Sequence, residues 1–223
     1  METMRISIND SEIRRIKQIL YKGVLTMTMI TASAAYAKTI TFDTNKPGVL
    51  PPDWIEGVTG DGKPRWTVEE ASDAPSKPNV LKQSGEGAFP WCVRKGVSLT
   101  DGFVEVKFKP ISGREDQAGG VVWRWKDGNK YYVARANALE NNVSLYYTEN
   151  GRRNTLKYVD APVAPNVWHK LRVDFKGKKI SVALDEKLYI EMDDTHIDGA
   201  GTVGLWTKAD SVTVFDNFVY GAK

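Results

Sequence analysis

Residues 118–148 read AGGVVWRWKDGNKYYVARANALENNVSLYYT, and the residue pattern of this segment predicts the fold class. Apolar and polar side chains alternate along it with a period of two, which is the period of a β-strand that buries one face. Asp127-Gly128 interrupts the alternation, and this pair favours the positive φ angles of a tight hairpin turn. The stretch therefore predicts neighbouring antiparallel strands.

Alternation also assigns the two faces of these strands. In the last strand Val143, Leu145 and Tyr147 form the apolar set, and the side chains between them point the other way. On that other face, or at its border, the sequence predicts a polar and aromatic set made of Arg124, Tyr131, Arg135, Asn137, Glu140, Asn142 and Tyr146. Rings offer apolar platforms, while Arg and Asn offer paired donors and acceptors. This mixture predicts a saccharide ligand; the alternative is that these side chains solvate an outer sheet and support one another by cross-strand pairs.

The rest of the chain extends the same pattern. Over residues 39–220 short alternating segments follow one another, Asn150-Gly151 marks a second hairpin turn, and no long segment holds a helical period. Clustered Pro and Gly predict surface loops over residues 45–61 and 160–166. The sequence thus predicts an all-β, antiparallel jelly-roll sandwich of two sheets, formed as a single domain by residues 38–223.

Five motifs of the predicted strands resemble a known superfamily. They are GVVWR (120–124), YYVAR (131–135), WHKLRV (168–173), GLWT (204–207) and VFDNF (214–218). Together they resemble the concanavalin A-like lectin/glucanase jelly rolls, and within them laminin-G-like modules and the bacterial 3-keto-disaccharide hydrolase family of glycoside hydrolase-like proteins. The resemblance implies two face-to-face sheets, one of them curved so that its concave side can hold a saccharide. It leaves the activity open, because this architecture hosts lectins, hydrolases, lyases and adhesion modules.

Catalytic signals are weak. Glycoside hydrolysis needs two carboxyl groups about 5 to 10 Å apart. Glu191 and Asp193 have a suitable spacing, but residues 194–199 read as a turn that explains them as capping groups, so we assign no catalytic residue. The predicted function is an exported, lectin-like carbohydrate-binding module. A glycoside hydrolase or 3-keto-disaccharide hydrolase-like enzyme is the alternative, and a module that binds a protein partner is a third class.

The first 37 residues differ from the rest of the chain. Basic side chains, among them Arg14, Arg15 and Lys22, precede the apolar segment 24–30, and Ala35-Tyr36-Ala37 follows it. This order is typical of a secretory signal peptide cleaved after Ala37, which predicts a periplasmic or secreted protein; the alternative is an amphipathic N-terminal helix. No apolar run of membrane-spanning length follows, so we expect no stable membrane insertion after cleavage.

Composition excludes several classes of protein. The 223 residues carry a net charge of only +3, which argues against a nucleic-acid-binding protein. Cys92 is the single cysteine, so the chain forms no internal disulfide, and with His169 and His196 it is too few for a Cys/His zinc site. We expect no cofactor. Whether a metal binds stays open, a structural calcium ion included, because loop oxygen atoms could hold one.

Overall fold

The computed structural model describes residues 37–223, and this part of the chain contains fifteen β-strands and no helix. The strands are β1 (Ala37–Ile40), β2 (Trp54–Lys63), β3 (Trp66–Glu70), β4 (Asn79–Gln83), β5 (Glu86–Arg94), β6 (Gly102–Ser112), β7 (Ala118–Asp127), β8 (Lys130–Asn137), β9 (Asn142–Glu149), β10 (Arg152–Asp160), β11 (His169–Lys176), β12 (Lys179–Leu184), β13 (Lys187–Asp193), β14 (Thr202–Trp206) and β15 (Val212–Ala222). The predicted signal peptide lies outside the described residues except for Ala37, which begins β1 opposite Gly221.

The strands form two antiparallel sheets. The first has the order β13-β12-β11-β6-β15-β4-β3, with β1 added along β15, and the second has the order β10-β9-β8-β7-β14-β5-β2. Sequence neighbours are often separated in space, as β6 lies between β11 and β15. These crossovers give the two-sheet jelly roll, so the predicted all-β antiparallel fold is confirmed.

The main core lies between the sheets and follows the alternation of the strands. Val104, Val106 and Phe108 are fully buried on β6, while the residues between them are partly exposed. From the second sheet, Tyr132 and Leu145 enter the same core. Burying one face of each sheet is the principal apolar gain of the fold. In residues 37–223 no helix is long and apolar enough to cross a membrane.

Turn chemistry sets the hairpins where the sequence predicts them. Asn150 and Gly151 join β9 to β10 with φ angles of 51° and 73°, and both residue types tolerate this left-handed region. β7 and β8 are joined directly after Asp127, at Gly128. Residues 161–168 lie outside the strands, as the prolines there predict.

The predicted loop over residues 45–61 is wrong in its second half. Trp54–Lys63 forms β2, which pairs with β5 at the edge of the second sheet. An edge strand has one unpaired side, so it tolerates the glycines that suggested a loop. Gly57 has a packing role there, because a Cβ atom at this position would lie 2.4 Å from the ring of Trp91.

Candidate functional site

The second sheet has an outer face with its own apolar cluster. Tyr131 and Val133 of β8, Tyr146 of β9 and Trp206 of β14 pack there, on the side opposite the main core. The strand register places Arg135 opposite Ser144 and Asn137 opposite Asn142 on the same face. The structure therefore brings together five predicted site residues, namely Tyr131, Arg135, Asn137, Asn142 and Tyr146.

Side chains cover this face, whereas a solvated outer sheet would leave it open. Arg153 of β10 and Phe89 of β5 reach over the sheet from different strands, and the Arg153 Cζ atom lies 4.6 Å from the Phe89 ring centroid. Beneath them Tyr146 is 2% exposed and Trp206 is fully buried. These side chains are therefore buried, and Arg135 and Tyr146 contact each other across neighbouring strands, as the second part of the alternative interpretation expects.

Arg135 is the centre of a buried polar network. Its Nη1 atom donates to Asp116 Oδ1 at 2.8 Å, and its Nη2 atom donates to Glu140 Oε2 at 2.7 Å. The hydroxyl of Tyr146 accepts weaker bonds from Nε and Nη2 at 3.4 and 3.3 Å. The Nδ2 atom of Asn137 also donates to Asp116 Oδ1, at 2.7 Å. A buried guanidinium with two carboxylate partners holds its geometry firmly.

Asp116 was missed by sequence reasoning because it lies in the loop between β6 and β7, where alternation says nothing. Lys208, in the loop between β14 and β15, pairs with the other carboxylate oxygen of Asp116, Oδ2. Asp210, also in the β14–β15 loop, holds the β6–β7 loop in place. Its carboxylate accepts hydrogen bonds from the backbone N–H groups of Arg114 at 2.6 Å, Glu115 at 3.0 Å and Asp116 at 3.2 Å. Asp116 is thus presented to Arg135 by a preformed turn.

Glu140 is the partly open member of the network. It lies in the turn between β8 and β9, and its side chain is 33% exposed. Burial alone would raise the pKa of Glu140, but hydrogen bonds from Tyr158, Asn142 and Arg135 outweigh it and lower the pKa to about 2. The Asn142 Nδ2 atom donates at 2.8 Å, and the Tyr158 hydroxyl also donates to Glu140 Oε2. Glu140 is therefore a charged acceptor at the surface.

Tyr158 and Leu139 give this end of the outer face an apolar surface. Tyr158 is 48% exposed and Leu139 is 46% exposed, although both are large and apolar. Burial and the bond to Glu140 raise the pKa of Tyr158 to about 12, so its hydroxyl stays protonated. A separate open cleft of about 940 Å³ is lined by Asp61–Lys63 of β2, Glu86–Ala88 of β5, and Arg114, Glu115 and Asp210 from the two loops that hold Asp116 and Lys208.

Arg124 does not join the other predicted residues. β7 is irregular between Trp123 and Asp127, and Arg124 has a φ angle of 45°, so the simple alternation that placed it on the outer face fails there. Its guanidinium donates to the carbonyl oxygens of Thr100, Ile197 and Gly177. Arg124 therefore ties three loops together, and the expectation of one shared face is wrong for this residue.

The acidic pair that the sequence offered for catalysis lies elsewhere. Glu191 and Asp193 belong to β13, at the edge of the first sheet, and Asp193 pairs with Lys178 at 2.9 Å. Among residues 37–223 no group of three or more His, Cys, Asp or Glu side chains is arranged to hold a metal ion. Within the described residues, the outer face of the second sheet is where charged, amide and exposed aromatic groups converge.

Comparisons with known proteins agree with this architecture. No family model matches the sequence. Levanase of Bacillus subtilis (strain 168) is 26% identical over 115 residues, which is 51% of this chain and 16% of the levanase. The carbohydrate binding module CBM66 from Bacillus subtilis superimposes with a TM-score of 0.63 at 20% identity, covering 76% of this chain and 95% of that module. The β-glucanase of Bacillus licheniformis gives a TM-score of 0.54 at 16% identity, covering 86% and 99%.

These likenesses show the fold, which is a concanavalin A-like jelly roll. The chain spans only about a sixth of the levanase that it matches, so the activity of that whole enzyme is not carried over. The narrower resemblance to laminin-G-like modules and to 3-keto-disaccharide hydrolases stays a prediction.

Proposed function

We propose that this protein binds saccharides at the Glu140 end of the outer face of its second sheet. The observation that supports this proposal most directly is the environment of Glu140. Its carboxylate accepts hydrogen bonds from Arg135, Asn142 and Tyr158, while a third of its side chain stays open to solvent. Sugar hydroxyls both donate and accept, so they suit a charged acceptor held beside amide and phenol groups. A preorganised site of this kind loses little entropy on binding.

The surface beside Glu140 supports the same ligand class. Sugar rings carry apolar C–H faces that pack on aromatic and aliphatic side chains. Tyr158 and Leu139 supply such surfaces. The name of the structural neighbour, a carbohydrate binding module, and the name of the matched levanase favour saccharides over other polyols.

We propose binding without catalysis. A glycosidase needs one carboxylic acid that stays protonated near neutral pH, which requires a raised pKa. Glu140 has the opposite shift. Among residues 37–223 burial raises the pKa of Asp216, but this carboxyl group lies on β15 of the first sheet and accepts a hydrogen bond from Ser76. Hydrolysis therefore enters as an outcome of the test.

The experiment is calorimetric titration of the full chain with levan, β-glucan, cellulose oligosaccharides and mannan, beside an assay for reducing-sugar products. Glu140→Gln keeps the size of the side chain but removes its charge, and we expect it to weaken binding at least tenfold, because charge-assisted hydrogen bonds to the ligand are lost. Glu191→Gln, on the first sheet, is the matched control. Release of reducing sugars would identify a hydrolase. If none of the polysaccharides binds, saccharide binding is contradicted and a protein partner becomes the better hypothesis.

We further propose export. Cleavage after Ala37 would remove one residue of β1 and leave residues 38–40 paired with β15, so the sheet keeps its added strand. The expected product begins at Lys38, and intact-mass analysis of periplasmic and secreted fractions measures it. Finding the full-length chain in the cytosol alone would contradict export.

A further inference from the structure

Arg153 differs from the other cations of the outer face. Its Cζ atom lies 4.3 Å from the ring centroid of Tyr146, 4.6 Å from that of Phe89 and 5.7 Å from that of Trp206. Among residues 37–223 no carboxylate pairs with it, and its buried Nη1 atom has no hydrogen-bond partner there. Within residues 37–223 the guanidinium of Arg153 thus lies over three aromatic rings and has no carboxylate partner.

The neighbouring carboxylates are already engaged. Asp116 is shared by Arg135 and Lys208, and Glu140 pairs with Arg135. Arg135 and Lys208 thus already occupy both carboxylates, which leaves the Arg153 guanidinium without a carboxylate partner in this group of side chains. Buried cations are normally paired, because an uncompensated charge loses its hydration.

The pKa of Arg153 lies below its ordinary value. Burial lowers the pKa of the Arg153 guanidinium, and the positive charge of Arg135 acts in the same direction. Both guanidinium groups contact the ring of Tyr146, with the Arg135 Cζ atom 5.8 Å from its centroid. An anion between them would be attracted by both.

We infer that the saccharide bound by this protein is acidic, and that Arg153 contacts its anionic group. The inference rests on the proposed function. A guanidinium offers a planar fork of donors that matches a carboxylate or a sulfate group through two parallel hydrogen bonds. Sugars carry such groups as uronic acids or as sulfate esters. Arg153 is half-buried on edge strand β10, so part of its side chain is open to solvent beside the rings that its guanidinium covers.

A purely structural Arg153 is the competing interpretation, in which its guanidinium only shields Tyr146 and Trp206 from water. The two interpretations differ in what they predict for charge. A covering side chain treats acidic and neutral saccharides alike, whereas an anion-binding group separates them. The pair of probes must therefore have one backbone in a charged and an uncharged form.

The experiment titrates the full chain with oligogalacturonate and its methyl ester, and with a sulfated galactan and its desulfated form, at low and high salt. We expect at least tenfold tighter binding of one acidic form than of its neutral counterpart, weakened by salt because the contact is ionic. Arg153→Gln should abolish this preference, and Arg153→Lys should restore it in part, since Lys keeps the charge but lacks the fork. Arg152→Gln, at the exposed neighbouring position, is the control.

Each outcome decides between the interpretations. Preference for the acidic form that disappears in Arg153→Gln, with an unchanged thermal midpoint, supports the inference and tells sulfate from carboxylate by which pair responds. Equal binding of both forms, or binding of neutral glycans such as levan alone, overturns the inference but leaves the proposed function intact. A lower midpoint with equal loss for both forms also overturns it, in favour of a structural Arg153. Binding of no saccharide overturns both proposals.

Discussion

At the scale of single residues, burial changes what Arg135 is expected to do. Alternation places Arg135 on an outer face, where truncation would leave the fold intact. In the structure it is 2% exposed and is a partner of Asp116, which is itself fully buried. Arg135 therefore has a structural role as well as a place in the candidate site.

Truncation of Arg135 should lower the free energy of unfolding. Arg135→Ala leaves the Asp116 carboxylate buried beside only Lys208 and Asn137, and breaking such a buried pair costs about 3 to 5 kcal/mol. Urea denaturation measures this loss in the free energy of unfolding. Arg114→Ala, at an exposed position in the neighbouring loop, should change it by only about 0.5 kcal/mol. Equal effects of the two substitutions would mean that the network contributes no stability.

Glu140 should make stability depend on pH in the acidic range. Its folded pKa of about 2 lies below its ordinary value of 4.5, so the charged form stabilises the fold at higher pH. This contribution is complete above about pH 4.5 and is lost as the pH falls toward about 2. We expect Glu140→Gln to show a smaller loss of stability than the unsubstituted protein across that window, measured by urea midpoints. Parallel pH profiles would show that the network does not hold Glu140 in its charged form.

At the scale of strands, period-two alternation predicts those elements that bury one face, such as β6, β11 and β12. β8 and β9 also alternate in side-chain type, but both of their faces are buried. It fails where a side chain is absent for packing reasons or where a strand is irregular. β2 contains glycines that read as a loop, and the bulge in β7 turns Arg124 away from its expected face. Asp116 and Lys208 come from loops, which carry no periodicity, so the sequence could not place them beside Arg135.

The packing role of Gly57 in β2 can be tested by substitution. Gly57→Ala would place a Cβ atom 2.4 Å from the Trp91 ring, which must shift within the apolar cluster of the outer face. Overpacking of this kind costs about 1 to 3 kcal/mol in the free energy of unfolding. Ile55→Val on the same strand is the control, since Ile55 is exposed. A neutral Gly57→Ala would show that the edge strand yields without strain.

At the scale of the whole molecule, the sandwich divides two tasks between two faces of one sheet. The inner face of the second sheet completes the main core, while its outer face holds Arg135, Asp116 and Glu140 over a second, smaller apolar cluster. The core therefore fixes the strand register, and the register fixes the spacing of the binding groups. The fold and several residues of the face could be predicted from the sequence, but the cover over the face depends on a contact between Arg153 of β10 and Phe89 of β5, which are distant in the chain.

Saccharide binding at the Glu140 end of the outer face of the second sheet can be located residue by residue. Amide NMR spectra of the full chain, recorded while the tightest-binding glycan of the panel is added, test it most directly. We predict that the side-chain amide of Asn142 and the backbone amides around Glu140 shift most, because Asn142 donates to the open carboxylate. The side-chain amide of Asn137 should shift with them, since it donates to Asp116, the other carboxylate bonded to Arg135. Shifts confined to the first sheet, for example around Asp193, would contradict the account.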